Sequence, residues 1–224
     1  MDYPLVSAIM PTYNRREFFP RAMGCFLAQD YPNLELIILD DGSDSIRDLL
    51  PGDPRIKYFH EPQNKYNHGT KMNICMEKAQ GAFSIVFDDD DWYPFNRITR
   101  QIAPMVENTT LMLTGTSTLF YYRHGTQQAW RYTSPKAIGW LASFACRRTA
   151  WEQRRFDSIP SGADYNFQKQ MLAAEKLDLF DSTLVVASIH GNNACRKNLS
   201  SEYKPEPWET IKKLWQDTSA PAGK

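Results

Sequence analysis

The chain has 224 residues, of which 42% are hydrophobic, and its 26 lysines and arginines balance 26 aspartates and glutamates. This length and composition predict one globular domain with a sizeable core. The zero net charge gives no electrostatic footprint for a nucleic acid, and no apolar run approaches the roughly 18 residues that a membrane-spanning helix requires.

The cysteines are widely scattered and show no paired metal-ligand spacing; they are Cys25, Cys75, Cys146 and Cys195. Such thiols are typical of reduced, mostly buried side chains in a cytoplasmic protein. The first residues contain no basic segment followed by a long apolar stretch, so no signal peptide is predicted.

The first half of the chain alternates short apolar runs with helical patterns. Strands are predicted at Leu5–Met10, ended by Pro11, and at Leu34–Leu39, Ile56–His60 and Phe83–Phe87. Helices are predicted after Asn14 as N-cap, at Ser45–Leu50, at Gly69–Ala79 and from Pro94 to about Glu107. The short connections favour parallel crossovers. The pattern therefore predicts an α/β domain, with a Rossmann-like, mostly parallel sheet flanked by helices.

The second half is less regular. Antiparallel strands are predicted at Leu111–Tyr122 and Gln128–Tyr132, followed by a strand at Trp140–Arg147, a helix at Ala163–Ala174 and a last strand at Leu184–Ile189. Residues 1–200 are therefore predicted to form the domain, and residues 201–224 a C-terminal helix at Trp208–Trp215 with a frayed tail at Thr218–Lys224. That helix is amphipathic, and packing on the domain or on a second subunit is favoured over resting on a membrane.

Four carboxylates, Asp88 to Asp91, directly follow the buried strand Phe83–Phe87. Two like charges about 5 Å apart repel by roughly 3 kcal/mol at an effective dielectric constant near 20. A divalent cation would reverse the sign of that interaction, because Mg²⁺, Mn²⁺ and Ca²⁺ prefer carboxylate oxygen. The alternative is a solvated acidic loop or a helix N-terminus that favours negative charge. The position after a buried strand favours a metal site.

Polar residues follow the other strands at the same edge of the predicted sheet. The first strand supplies Pro11, Thr12, Tyr13, Asn14 and Arg15, and the second supplies Asp40 and Asp41. No G-x-G-x-x-G and no G-x-x-x-x-G-K-[ST] is present, so neither a dinucleotide fingerprint nor a P-loop is supported. An aromatic ring, a carboxylate and a cation at one sheet edge suit a nucleotide diphosphate.

Three segments in this order, PTYNR, ILDDGSD and GTKMNICMEKAQGAFSIVFDDDDWYP, resemble family-2 glycosyltransferases of the GT-A fold over residues 5–101, which include Gln101. The resemblance implies an inverting transfer of one sugar from a nucleotide donor, usually UDP-linked, to an acceptor hydroxyl. It also implies that residues 1–101 form the nucleotide-sugar-binding half and residues 102–200 the half that holds the acceptor and the catalytic base.

The resemblance also implies roles for particular residues. The donor would be bound by Pro11, Thr12, Tyr13, Arg15, Asp40, Asp41, Lys71, Asn73, Asp88 and Asp89. For Arg15 and Lys71, an ordinary solvated surface position is the alternative. Mn²⁺ or Mg²⁺ would be held by Asp88 and Asp90, with Asp90 as the direct ligand and His190 of the IHGNN segment as a further one. Independently of the resemblance, Asp91 is expected to cap the next turn, and packing against the sheet is favoured for Trp92 and Tyr93 over lining the sugar site. A structural strand-end histidine is the alternative for His190.

The segment SGADYNFQKQ, residues 161–170, resembles the acidic motif under the acceptor site and makes Asp164 the catalytic base. The pattern places Asp164 in the first turn of a helix. The family often has Glu-Asp here, and Ala163 replaces the glutamate.

Two other activities remain open at this stage. A sugar-nucleotide nucleotidyltransferase also sets metal carboxylates on an α/β sheet, but it needs a glycine-rich basic loop, and Thr12–Arg16 contains no glycine. A non-catalytic nucleotide-sugar-binding module is the second alternative.

The acceptor is expected to be a glycan, a lipid-linked glycan or another hydroxyl compound, bound by loops within Leu111–Arg155. A nucleic-acid acceptor is unsupported by the neutral charge. The expected location is the cytoplasm or the inner face of the membrane, and the oligomeric state is left open.

Overall fold

The computed structural model describes residues 3–135, 141–193 and 199–216. The strands in these ranges are β1 Val6–Thr12, β2 Leu34–Asp40, β3 Ile56–His60, β4 Phe83–Val86, β5 Leu113–Thr116, β6 Thr118–Arg123, β7 Ala129–Thr133, β8 Ala142–Arg147, β9 Lys176–Asp178, β10 Val186–Ile189 and β11 Tyr203–Glu206. The α-helices are α1 Phe19–Leu27, α2 His68–Lys78, α3 Arg97–Glu107, α4 Arg148–Gln153, α5 Ala163–Lys169 and α6 Trp208–Gln216. Trp140, Cys195 and Thr218–Lys224 lie outside the described residues.

The main sheet has the strand order β3-β2-β1-β4-β8-β5-β9. β1 pairs in parallel with β2 and β4, and β2 pairs in parallel with β3, whereas β8 runs antiparallel between β4 and β5. Every residue of β1 and β2 is buried, because helices cover both faces of this part of the sheet. The predicted mixed, mostly parallel sheet flanked by helices is confirmed.

A second sheet, with the order β10-β6-β7-β11, carries helix α6. Ile211 of this helix is fully buried, and the Trp215 ring makes an edge-on contact with Tyr122 at 5.1 Å between ring centroids. The Arg21 guanidinium lies 4.7 Å from the Trp215 ring centroid. The prediction that the C-terminal helix packs on the domain is therefore confirmed. In the part of the chain that the structure describes, none of the helices has the length and apolar character needed to span a bilayer.

Strand β1 does not end before Pro11 as predicted. It continues to Thr12, and Pro11 stands in register with Leu39 of β2. On the other side, the pairing of β1 with β4 reaches only Ile9, so no neighbouring strand there needs the N–H that proline lacks. The three residues after Ile9 therefore stay paired with β2, and they lead directly to the loop that follows β1.

Other predicted boundaries also shift. Leu111–Tyr122 is not one strand: β5 belongs to the main sheet and β6 to the second, with a bulge between Thr114 and Thr116. Ser45–Leu50 contains one 3₁₀ turn at Arg47–Leu49, the Ala163–Ala174 helix ends at Lys169, and Ser182–Leu184 is a 3₁₀ turn before β10. A bulge or a chain switch between sheets depends on distant partners, so local periodicity does not reveal it.

Gly69, in the first turn of α2, fixes how closely this helix approaches the segment before α5. A Cβ atom there would lie 1.8 Å from the Asp157 carbonyl oxygen and 3.0 Å from the Ala163 Cβ. We expect Gly69→Ala to lower the free energy of unfolding by about 3 kcal/mol, because the obstructing atom belongs to the backbone. Urea denaturation measures the loss.

The matched control is Gly24→Ala in α1, where a Cβ meets nothing within 4 Å. This substitution should raise stability by roughly 0.5 to 1 kcal/mol, because alanine loses less backbone entropy than glycine on folding. Equal stability of the Gly69→Ala protein and the wild type would contradict the close approach of the helix to the loop.

Candidate active site

A cavity of about 490 Å³ opens where β1, β2 and β4 end. Most of the predicted site residues line it: Pro11, Tyr13, Arg15, Asp41, Lys71, Asp88, Asp90 and Asp164. Residues that the sequence analysis did not select also line it, among them Tyr66, Asn67, His68, Ser188 and Asn193. The structure thus brings the strand ends of the first half together with Asp164 of the second half at one cavity.

The loop after β1 presents an aromatic ring to this cavity. Tyr13 is 45% exposed, so its face is available to a planar ligand. Asn14 follows with a left-handed φ of 50°, and its side-chain oxygen accepts a hydrogen bond from the Asp44 backbone N–H at 3.0 Å. The predicted helix-capping role of Asn14 is wrong, because α1 begins later, at Phe19, and Asn14 instead ties this loop to the loop after β2.

Gly42 permits that close contact between the two loops. A Cβ at this position would lie 2.5 Å from the Asn14 side-chain oxygen and 2.7 Å from its backbone nitrogen. The Gly42 N–H also donates to Asp40 at 2.9 Å, and the Tyr58 hydroxyl donates to the other Asp40 oxygen at 2.7 Å. Asp40 is fully buried and supports the turn, and it does not line the cavity although it was predicted among the donor-binding residues.

Lys71 and Asp41 form a buried ion pair at the cavity wall. The Lys71 ammonium lies 2.7 Å from one Asp41 oxygen and donates to the Thr12 carbonyl at 3.1 Å. The other Asp41 oxygen accepts from the Tyr66 backbone N–H at 2.9 Å. Lys71 also lies 5.6 Å from the Tyr13 ring centroid. The solvated alternative for Lys71 is therefore wrong, since its ammonium joins the loops after β1 and β2.

The consecutive aspartates have different surroundings. Asp88 lines the cavity, and burial together with the charges of Asp90 and Asp89 raises its pKa to about 7. Asp89 is buried and accepts from the Thr12 hydroxyl; burial raises its pKa to about 6 against the opposing effect of Arg15. Asp90 lines the cavity. Burial alone would raise its pKa, but hydrogen bonding with His190 and the Arg15 charge lower it below its usual value.

Asp91 reaches the second sheet. One of its oxygens accepts a hydrogen bond from the Ser188 backbone N–H in β10 at 2.8 Å, so it joins the aspartate run to that sheet. The neighbouring aromatic rings pack in the core as predicted, with Trp92 and Tyr93 both buried. The Tyr93 hydroxyl accepts from the Asp88 backbone N–H at 2.9 Å and so helps to fix the start of the run.

Arg15 is not the solvated helix-start arginine that was considered as its alternative. One guanidinium nitrogen lies 2.8 Å from Asp89 and 2.8 Å from Asp90, and the second donates to the Asn192 carbonyl at 2.8 Å. The side chain is 15% exposed. Arg15 therefore links the loop after β1, the aspartate run and the loop after β10.

His190 lies behind Asp90, outside the residues that line the cavity. Its Nε2 is 2.9 Å from an Asp90 oxygen, its Nδ1 accepts from the Asn192 backbone N–H at 3.1 Å, and its ring stacks on Phe18 at 4.0 Å between centroids. Its contact with Asp90 fits both a structural role and a place beside a cation, so its assignment as a metal ligand stays a prediction.

Asn73 does not lie at the predicted donor site. Its side-chain oxygen accepts from the Trp151 ring N–H and from the Phe156 backbone N–H, and its amide nitrogen donates to the Phe156 carbonyl at 2.8 Å. It is not among the residues that line the cavity. Asn73 points to the other side of helix α2, where its whole amide holds the segment after α4.

Arg97 is a charged residue that the sequence analysis missed. It is fully buried and lies 4.0 Å from the Tyr93 ring centroid, and it donates to the Val86 and Ser143 carbonyls. The Asp88 charge acts on it, although burial lowers its pKa overall. Arg97 therefore places a second positive charge beneath the aspartate run, and nothing in its local sequence, at the start of a helix, signals this burial.

Asp164 lies in the first turn of α5, as predicted, after Gly162 in a left-handed conformation with φ of 82°. His68, at the start of α2, lines the same cavity. Burial lowers the pKa of His68, and the Asp164 carboxylate acts in the opposite direction. An imidazole with a lowered pKa therefore shares the cavity with the predicted base. Only the packing of α2 against α5 reveals this, because the two residues are far apart in sequence.

The oxygen donors at the cavity fit a hard divalent cation. Asp88 and Asp90 supply carboxylates at the cavity, and carboxylate oxygen is the ligand that Mg²⁺ and Mn²⁺ prefer. In residues 3–135, 141–193 and 199–216, however, no three histidine, cysteine, aspartate or glutamate side chains already stand in an arrangement that could hold an ion. These carboxylate oxygens therefore suit a metal ion, but one of the two side chains, Asp90, already forms an ion pair with Arg15.

The family model for glycosyl transferase family 2 matches residues 7–169 of this chain. An uncharacterized glycosyltransferase of Haemophilus influenzae is 35% identical over 120 residues, which are 51% of this chain and 48% of that protein. The UDP-Glc:alpha-D-GlcNAc-diphosphoundecaprenol beta-1,3-glucosyltransferase of Escherichia coli is 33% identical over 118 residues, 51% of this chain and 46% of that protein. The matches thus span about half the length of these curated relatives.

Two solved structures share the fold. TarS 1-349 of S. aureus in complex with UDP-GlcNAc has a TM-score of 0.70 and 17% identity, with 88% of this chain and 62% of that one covered. A mannosyltransferase of Pyrobaculum calidifontis in complex with GDP-Man and Mn²⁺ has a TM-score of 0.69 and 14% identity, with 87% and 59% covered. At these identities the likeness shows the fold alone, and it confirms the predicted GT-A architecture.

Proposed function

The chain belongs to glycosyltransferase family 2, and on that premise we propose that it moves one sugar from a UDP-linked donor to a hydroxyl of a lipid-linked glycan, with inversion at the anomeric carbon. One observation carries this proposal. A single cavity is lined by the donor-side residues Tyr13, Asp41 and Asp88 and by the carboxylate of Asp164. A transferase must bring a donor and a base to one place, and this cavity has groups for both.

The donor end of the cavity suits a nucleotide diphosphate. The half-exposed Tyr13 ring offers a face to the base, and Asp41, fixed by Lys71, offers carboxylate oxygen to base or ribose. Arg15 lines the same cavity, where its positive charge would favour a diphosphate. The name of the E. coli relative includes a UDP-linked donor and a diphosphoundecaprenol-linked acceptor, which favours UDP and a lipid-linked acceptor for this chain. Such an acceptor would bring the protein to a membrane surface.

In the proposed reaction, the Asp164 carboxylate takes the proton of the acceptor hydroxyl. The hydroxyl oxygen forms a bond to the anomeric carbon from the face opposite the diphosphate. The bond from that carbon to the diphosphate oxygen breaks, and its electron pair leaves with the diphosphate. Asp88 and Asp90 would hold Mn²⁺ or Mg²⁺ beside His190, and a cation there would offset the charge that grows on the leaving group.

The test is a panel of UDP- and GDP-sugars incubated with the protein and Mn²⁺, because slow donor hydrolysis needs no acceptor. We expect free UDP from at least one UDP-sugar. Formation of UTP and a sugar 1-phosphate from a UDP-sugar and added pyrophosphate would instead favour a nucleotidyltransferase. Donor binding without turnover, in this panel and with lipid-linked acceptors, would favour a binding module.

The role of Asp90 can be tested separately from turnover. We expect Asp90→Ala to weaken Mn²⁺-dependent UDP binding by about 30-fold or more, since loss of one member of a close charge pair typically has an effect of this size. Calorimetric titration of UDP with and without Mn²⁺ measures the change. Asp48→Ala is the control, because Asp48 is 65% exposed and pairs with Arg16 away from the cavity. Equal effects of the two substitutions would contradict the assignment of Asp90.

A further inference from the structure

The Arg15 guanidinium already contacts one of the two carboxylate oxygens that Asp90 could offer to a metal ion. That oxygen, Oδ2, is 2.8 Å from Arg15, 2.9 Å from the Nε2 of His190 and 3.4 Å from the side-chain nitrogen of Asn193. A carboxylate oxygen has about two lone-pair sites. These three neighbours leave no room on it for a divalent cation while Arg15 stays in place.

The charges around the aspartate run are unbalanced even with Arg15 present. The run carries four carboxylates, Asp88 to Asp91, and among the described residues Arg15 and the buried Arg97 act on the charge of Asp88. Lys71 is already paired with Asp41. Four carboxylates therefore stand beside fewer cations in the described part of the chain, and a divalent ion would reduce the repulsion among them.

We infer that Arg15 is the resident counter-cation of Asp90, that it gives up Asp90 when a divalent cation binds, and that its guanidinium then turns to the donor's diphosphate. This inference rests on the proposed function, since it concerns the same site. Arg15 would also release the Asn192 carbonyl, so exchange of the two cations would free the loop after β10. Metal binding and diphosphate binding would thus reinforce each other.

Calorimetric titration of MnCl₂ into the protein, without nucleotide, tests the first step. We expect Arg15→Gln to bind Mn²⁺ at least about tenfold more tightly than the wild type, because a competing cation and its repulsion are removed. In the presence of Mn²⁺, the same variant should bind UDP more weakly than the wild type, because the diphosphate loses a guanidinium partner.

Arg16→Gln is the matched control. Arg16 is the next residue, but it pairs with Asp48 and donates to the Ser45 carbonyl, away from the cavity. Its Mn²⁺ affinity should equal that of the wild type. Mn²⁺ binding by Arg15→Gln that is no tighter than wild-type binding, including no binding by either, would overturn the inference.

A second variant covers the case in which Arg15→Gln does not fold, which circular dichroism would show. Arg15→Lys keeps the charge but cannot bridge Asp89, Asp90 and Asn192 with a planar fork. Its Mn²⁺ affinity should lie above that of the wild type, and wild-type affinity in this variant would overturn the inference. The transferase proposal is judged apart from this result, because wild-type donor hydrolysis reports on it directly.

Discussion

Replacing Asp164 with asparagine should reduce sugar transfer by about 10² to 10⁴-fold while leaving UDP binding nearly unchanged. Asparagine has almost the same shape but cannot take the proton of an acceptor hydroxyl, and positioned proton transfer contributes a rate factor of this order. Asp164 lies in the first turn of α5 and lines the cavity, whereas Tyr13 and Asp41, which would bind the nucleotide, follow strands β1 and β2. Initial rates of UDP release, with calorimetric UDP affinity measured on the same preparation, separate the two effects.

Asp157→Asn is a close control for this substitution. Asp157 belongs to the segment that leads to α5 and accepts a hydrogen bond from Asn166 of that helix at 2.7 Å, but it does not line the cavity. Its amide variant can still accept that bond, so turnover should stay near the wild-type rate. Normal turnover by Asp164→Asn would remove Asp164 from the reaction and require another base.

Replacing Lys71 with methionine should lower the free energy of unfolding by about 3 to 5 kcal/mol, because it leaves the Asp41 carboxylate buried without its cation. The side chains of Lys71 and Asp41 are 11% and 2% exposed, so water cannot take over the role of the ammonium. The variant also loses the hydrogen bond to the Thr12 carbonyl that ties α2 to the end of β1. Urea denaturation measures the stability, and weaker UDP binding should accompany the loss.

Helix α2 contains its own control for this experiment. Lys78 lies on the same helix, 3.9 Å from Glu61, with both side chains more than a quarter exposed. Lys78→Met should cost about 0 to 1 kcal/mol, as is usual for exposed pairs. The double variant Lys71→Met with Asp41→Asn should recover part of the stability, since no buried charge is left unpaired. If Lys71→Met lowered the free energy of unfolding no more than Lys78→Met, the buried pair would not stabilise the contact between α2, the end of β1 and the loop after β2.

The sequence alone was enough to predict the strands that end at the site. β1, β2 and β4 are apolar runs followed at once by polar residues, and parallel strands bring their carboxyl ends to one edge whatever the details of packing. This is why Tyr13, Asp41 and Asp88 could be assigned to one cavity without a structure. Asp164 was found through a motif and a helix start, both of which are local in sequence. The division into residues 1–101 and 102–200 as functional halves stays a prediction.

Contacts between distant parts of the chain could not be predicted in this way. Arg15 reaches Asp89 and Asp90 more than 70 positions away, and Asp91 is fixed by a β10 amide 97 positions away. Asn73 has a motif position that suggested the donor site, yet its amide holds Phe156 on the other side of α2.

The sequence by itself therefore determined which carboxylates stand at the sheet edge, because hydrophobic runs and strand ends are properties of neighbouring residues. The tertiary structure decided what each carboxylate contacts. Asp89 and Asp90 pair with Arg15, Asp91 accepts a hydrogen bond from a backbone amide, and Asp88 lines the cavity. The physical reason is that charge pairing acts across a few ångströms of space, and only the folded chain sets which residues come that close.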